Sequence, residues 1–162
     1  MKIYLASSWR NERQQGVLAE LRAAGHDVYD FRNPAPGAIG FGWRQTIEGP
    51  IADAATLLRA LAHPRAHEGF AFDFEAMKSA DVCVLLLPCG NSAHLEAGWF
   101  SGRGKPVAVL IPELREPELM YKCFDVDGRT PLFDSIDGVI AHLAMMGPLA
   151  RRIVADRMAV LP

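Results

Sequence analysis

The chain has 162 residues, 50% of them apolar and 22% charged, which is the composition of one globular domain with one core and excludes a disordered chain or a membrane-embedded one. Its formal net charge is −2 and its 17 Lys and Arg are scattered, so no basic stripe tracks a phosphodiester backbone and large nucleic acids are not expected as partners. No apolar run approaches the roughly 20 residues of a membrane span, and the opening apolar run is too short for a signal peptide, so a cytoplasmic protein with no membrane partner is expected.

Lys2 to Ala6 reads as a first strand, and Asn11 to Ala24 as a helix that places Val17, Leu18 and Leu21 on one face and stops at Gly25. Asp27 to Phe31 is a second strand. Arg32 to Gly69 then breaks the alternation, with Pro34, Pro36, Gly37, Gly40, Gly42, Gly49, Pro50 and Pro64 around a single helical run near Ala52 to Leu61. Residues 32–69 read as an inserted lid whose Phe41-Gly42-Trp43 cluster offers aromatic rings to a flat ligand, or equally as a structural loop in which Trp43 plugs the core edge.

Phe70 to Ala80 is a helix, Val82 to Leu87 a strand without polar alternation and so covered on both faces, and Ser92 to Gly102 the next helix. Val107 to Ile111 is a fourth strand, a fifth is expected within Cys123 to Val126, and Asp134 to Met146 is a further helix. The tail over 145–162 is expected to be helical. Strand alternating with helix predicts one α/β domain over 1–162, a doubly wound, flavodoxin-like parallel sheet of about five strands. Cys83, Cys89 and Cys123 are an odd set without zinc spacing and read as buried free thiols.

Ligands of such sheets bind beyond the carboxyl ends of the strands, which gathers Ser7, Ser8, Trp9 and Arg10 after the first strand, Arg32 and Asn33 after the second, and Pro88, Cys89, Gly90, Asn91 and Ser92 after the third. Asn91 or Ser92 is expected to cap the following helix, whose free N–H groups favour an anion such as phosphate. Glu96 lies about one turn in, where the helix dipole helps hold it ionised by roughly 0.3 to 1 kcal/mol. Read on that alone, a surface helix carboxylate is the favoured reading.

Familiar motifs fail. Gly40-Phe41-Gly42 lacks the third glycine of a dinucleotide loop, Gly98 to Lys105 has the wrong spacing and Pro106 for a phosphate loop, and Gly90 to His94 is not a nucleophile elbow. His63 and His67 have no third ligand at a fixed spacing, so neither a metal nor a cofactor is expected.

Three blocks resemble the nucleoside 2-deoxyribosyltransferase superfamily, which includes deoxynucleoside 5′-monophosphate and CMP N-glycosidases. Ile3-Tyr4-Leu5-Ala6-Ser7-Ser8-Trp9 is similar to its first strand and substrate loop; Asp73 stands eight residues before Asp81, its spacing between an active-site Asp and the third strand; Leu95-Glu96-Ala97-Gly98 looks like its Glu-Leu-Gly motif. With Gly104-Lys105-Pro106-Val107, the likeness covers residues 2–10 and 70–111. It implies Glu96 as a nucleophile that captures the sugar, Asp73 as a proton carrier, and Tyr4 as a residue orienting Glu96. By the same likeness Ser8 and Trp9 line the sugar and base, and Arg10 or Arg44 meets a phosphate.

The resemblance also implies a small nucleoside or nucleotide as partner and a homodimer or higher homo-oligomer; the apolar segments Ile136 to Met146 and Ile153 to Leu161 offer contact faces or equally pack within the monomer. The transferases carry a carboxylate for the 5′-hydroxyl at the position of Gly90 here, and their aromatic C-terminal tail is absent. The first departure favours a 5′-monophosphate over a nucleoside, and the second favours hydrolysis over transfer. The rival expectations are a deoxyribosyltransferase, distinguished by an acceptor base; a TIR-like NAD glycohydrolase, distinguished by nicotinamide release; and a silent nucleotide-sensing module, distinguished by binding without turnover.

Overall fold

The computed structural model describes residues 1–146; the tail expected to be helical, and with it the contact face at Ile153 to Leu161, lies outside the described residues. Five strands, β1 (Lys2–Ala6), β2 (Asp27–Tyr29), β3 (Val82–Leu86), β4 (Val107–Leu110) and β5 (Leu132–Phe133), form one sheet in the order β2-β1-β3-β4-β5. Every pairing is parallel. The helices are α1 (Gln14–Ala23), α2 (Ala54–Leu61), α3 (Pro64–Ser79), α4 (Asn91–Gly102) and α5 over residues 136–146. This is the doubly wound, flavodoxin-like arrangement that the strand-helix alternation predicts.

Two apolar layers sandwich the sheet. On one face Tyr4, Ala6, Cys83 and Leu85 pack against Met77 of α3 and Ala93, Ala97 and Phe100 of α4; on the other Ile3, Leu5, Val84 and Leu86 meet Val17, Leu18 and Leu21 of α1 and Val139 and Leu143 of α5. All five residues of β3 are buried, as its unbroken apolar run requires, and each such side chain contributes roughly 1.5 to 3 kcal/mol on burial. The apolar side of 136–146, open between subunit contact and packing within the monomer, is part of this core.

Three boundaries differ from expectation. The fifth strand is Leu132–Phe133, and the apolar letters near 123–126 belong to a 3-10 turn, Leu119–Phe124, that sends Tyr121 and Phe124 into the core. Helix α3 begins at Pro64 rather than Phe70, with Pro at its first position and the His63 imidazole Nδ1 accepting from the Arg65 N–H at 3.1 Å. Residues 64–69 are therefore helix and not insertion. Lastly, Cys83 is buried and Cys89 half-buried, but Cys123 is exposed, because a 3-10 turn has no continuous inner face.

Lys105 closes the far end of α3. Its ammonium donates to the carbonyls of Met77, Lys78 and Ala80 at 3.2, 2.7 and 2.6 Å, satisfying carbonyls that the helix leaves open and matching the negative end of its dipole. The start of α3 is held as well, since the insertion packs on it: a Cβ at Gly69 would stand 2.6 Å from Cβ of Phe41. Asp73 lies between these two fixed ends.

Candidate active site

The strand order reverses between β1 and β3, and the loops after these strands flank the crevice where open α/β sheets take ligands. The loops are tied to each other. Asn11, almost fully buried, donates through Nδ2 to the Pro88 carbonyl at 3.1 Å and caps the Arg13 N–H through Oδ1 at 2.9 Å. Ser7 Oγ donates to the Leu86 carbonyl at 3.1 Å, so this hydroxyl joins the two strands. Ser8 Oγ accepts from the Arg10 N–H at 3.2 Å, while the Arg10 side chain is exposed.

On the α3/α4 face, four groups meet. Tyr4 of β1 is paired in register with Tyr29 of β2, and the rings stack at 5.5 Å with planes 15° apart. Tyr29 Oη donates to Asp73 Oδ1 at 2.8 Å, and the Tyr4 hydroxyl favours the charged form of the Glu96 carboxyl. Each acid thus has its own phenol. Glu96, Asp73 and Tyr4, singled out from three distant stretches of sequence, are brought together.

The electrostatics overturn one expectation. Burial, then the nearby Asp73 charge, push Glu96 up to about 8, with only Tyr4 pulling the other way. A dipole effect of less than one pKa unit cannot offset that. Asp73 is pushed up to about 6 by burial, against the Tyr29 hydrogen bond, which lowers it. Asp73 is the tenth residue of α3, so a helix-start dipole does not account for it. Burial also raises both tyrosines, so they remain neutral donors.

The cap of α4 also differs from expectation. Gly90 is the N-cap residue, in extended conformation with no side-chain cap, and Asn91 and Ser92 form the exposed first turn. Extended backbone at residue 90 starts the helix one residue earlier than an Asn91 cap would. A Cβ at Gly90 would meet nothing within 4 Å.

Trp9 and Trp43 are half-exposed and serve the insertion. Trp9 Nε1 donates to the Phe41 carbonyl at 3.1 Å, and Trp43, in a 3-10 turn at Trp43–Gln45, packs edge-on against Phe41 at 5.1 Å. Gly40 lies so close to Trp9 and the Phe31 carbonyl that a Cβ there would stand 2.7 and 2.2 Å away. Trp43 and Arg44 have no hydrogen bond or ring contact to the carboxyl pair.

Sequence reasoning missed Tyr29, Asn11 and the full role of Arg32. Arg32 donates to the carbonyls of Trp9 and Asn11 at 3.0 and 3.2 Å, with its guanidinium 5.4 Å from the Trp9 ring. Tyr29 left one usable signal, its place as third residue of a strand, matching that of Tyr4. A cavity of about 720 Å³ opens along the outer edge of β2, lined by Tyr29, Asp30, Asn33 and Ala76 among others but by neither Glu96 nor Asp73. Among the described residues no group of three or more His, Cys, Asp or Glu is arranged to hold a metal ion.

Solved structures share this architecture along nearly the whole chain. A 2-deoxyribosyltransferase from Bacillus psychrosaccharolyticus is 24% identical, with a TM-score of 0.54 over 86% of this chain and 90% of its own. A conserved protein from Enterococcus faecalis V583 is 15% identical, with a TM-score of 0.53 over 90% and 98%. A CMP N-glycosidase from Clostridium botulinum is also 15% identical over 90% and 98%, with a TM-score of 0.48. No family model matches the chain, and no curated protein does. The likenesses establish the fold.

Proposed function

We propose that this protein is an N-glycosidase that hydrolyses the bond between base and sugar in a nucleoside 5′-monophosphate, with Glu96 as nucleophile and Asp73 as proton carrier. The observation that carries the reading is the pair of half-buried carboxyls beside the switch-point crevice, each supplied with its own tyrosine. The fold shared with a 2-deoxyribosyltransferase is consistent with it.

In the first step a Glu96 oxygen bonds to C1′ as the C1′–N bond breaks; its electron pair stays on the base nitrogen, which takes the proton of Asp73. In the second, water bonds to C1′, its proton passes to Asp73, and the C1′–O bond breaks with its pair returning to Glu96. With Glu96 pushed up to about 8 and Asp73 to about 6, the pair shares one proton near neutral pH, held mainly on Glu96, and the first step proceeds from the form in which that proton has passed to Asp73. Tyr4 orients Glu96.

The 5′-phosphate is assigned to the start of α4, where Gly90 leaves space and Asn91, Ser92 and the free N–H groups face it. Arg10 is exposed nearby in sequence to the crevice loop and supplies a counter-charge; Ser7, Ser8 and Trp9 form the opposite wall, and the insertion bearing Trp43 covers the base. Transfer of the sugar to a second base shares the first step, and added acceptor base distinguishes it.

The test is a panel of ribo- and deoxyribonucleosides, their 5′-monophosphates and NAD, with free base measured by chromatography for the wild type and Glu96→Ala. Base release from a monophosphate, reduced at least a thousandfold in the variant, is expected; this is the scale of losing a covalent nucleophile, on the order of 10³ or more. Ligand binding without base release by the wild type would replace the enzyme with a sensing module.

A further inference from the structure

The inference rests on the N-glycosidase reading above. We propose that Tyr29 is a positioning residue that fits Asp73 to the second half-reaction, holding one carboxylate oxygen so that Asp73 is ready to take the proton of the attacking water.

Tyr29 reaches Asp73 from β2, a different element from the β1 that carries Tyr4, and the stack between the two rings fixes both hydroxyls side by side. The groups facing Tyr29 are Asp73 from α3, Glu96 from α4, Asp30 beside it on its own segment, and Tyr4 from β1. The hydrogen bond occupies Oδ1 of Asp73, leaving Oδ2 for proton exchange. A phenol donating to a carboxyl stabilises its charged form.

The two half-reactions make opposite demands. Forming the glycosyl-enzyme needs Glu96 charged and the proton on Asp73; that step leaves Asp73 charged, and hydrolysis needs it to stay charged, without taking up a proton from solvent, until water attacks. The Tyr29 bond therefore works against the first step and for the second. With Phe at position 29 the ring and its stack remain and only this bias is lost, so the shared proton moves toward Asp73.

Rapid mixing of wild type and Tyr29→Phe with the monophosphate that the panel identifies separates the steps. The variant is expected to release a burst of base equal to the enzyme concentration, followed by turnover slowed about twofold at neutral pH and by up to about tenfold as pH falls below 6, where one pKa unit of lost bias lowers the charged fraction of Asp73 in full. The glycosyl group should accumulate on the Glu96 peptide, read by mass. Azide, which attacks C1′ without giving up a proton, should restore turnover in the variant.

Equal slowing of burst and steady state, or no rescue by azide, would overturn the role of Tyr29. Titration of the Asp73 carboxyl by NMR gives a readout that needs no substrate: its pKa should rise in Tyr29→Phe, and an unchanged value would also overturn the inference. A wild type that releases no base from any compound fails at the earlier stage; the N-glycosidase reading then falls, and this inference with it.

Discussion

Glu96 keeps its proton more tightly in the folded chain than in the unfolded one, and the cost of that arrangement has a definite sign. The unfolded side chain titrates at 4.5 and the folded one at about 8, so between these values the folded state binds the extra proton. Stability then falls as pH rises across that window. Asp73, raised to about 6, adds a smaller loss of the same sign. Glu96→Gln removes the larger one, and the variant should unfold at a higher temperature than wild type at pH 8, by on the order of 3 kcal/mol, with the two converging below pH 4.5. Thermal melts across that range check this; a variant no more stable at pH 8 would mean that Glu96 is charged there without cost. At the same scale, Glu96, Asp73 and Tyr4 were singled out only through the resemblance of the short blocks that carry them to a known family, since position on a strand or helix alone favoured a surface role for Glu96. Tyr29 was not, since its partnership with Asp73 depends on the register of β2 against β1, which no local pattern records.

The boundaries of the elements show where local signals give out. An apolar run buried on both faces identifies β3 unambiguously, whereas β5 has two residues and lies on the sheet edge, too short for any period to register. The start of α3 was hidden by Gly69, which reads as a helix breaker but is needed for the close approach of Phe41. That contact sets two effects against each other. Alanine in a helix interior gains about 1 kcal/mol over glycine, while forcing a methyl into occupied space costs roughly 1–3 kcal/mol. With Cβ 2.6 Å from the Phe41 side chain, the clash should win. Gly69→Ala is predicted to lower the melting temperature by a few degrees and to loosen the insertion, read as faster proteolysis between residues 41 and 53. A more stable variant would show that the insertion yields freely.

At the scale of the whole molecule, the parallel sheet and its two-sided core follow from the alternation of strand with helix and the unbroken apolar run of β3, because a parallel strand must be covered on both faces. Subunit contacts do not follow in that way: an apolar helix face serves a neighbouring copy or the monomer's own core equally well, the 136–146 face belongs to the core, and other apolar side chains stay outside. Leu58 and Leu61 of α2 and Phe70 of α3 are exposed at 68%, 47% and 64%. If the protein forms the homo-oligomer its resemblance implies, these are side chains that a neighbouring copy would cover. Sedimentation should give a dimer or larger species, shifted toward monomer by Leu58→Glu without a change in melting temperature at low protein concentration. A monomeric wild type would remove the prediction.

The tie between Asn11 and the Pro88 carbonyl has a consequence for how a ligand is received. It links the two loops on either side of the crevice through a side chain that is almost fully buried, and Arg32 fixes the first of them again through the Trp9 and Asn11 carbonyls. The loss of freedom in these walls is met when the chain folds, so it is not charged against each binding event. Calorimetry of a bound nucleotide should accordingly record little entropic penalty from loop ordering, and whatever penalty is found belongs to the insertion or to the ligand itself.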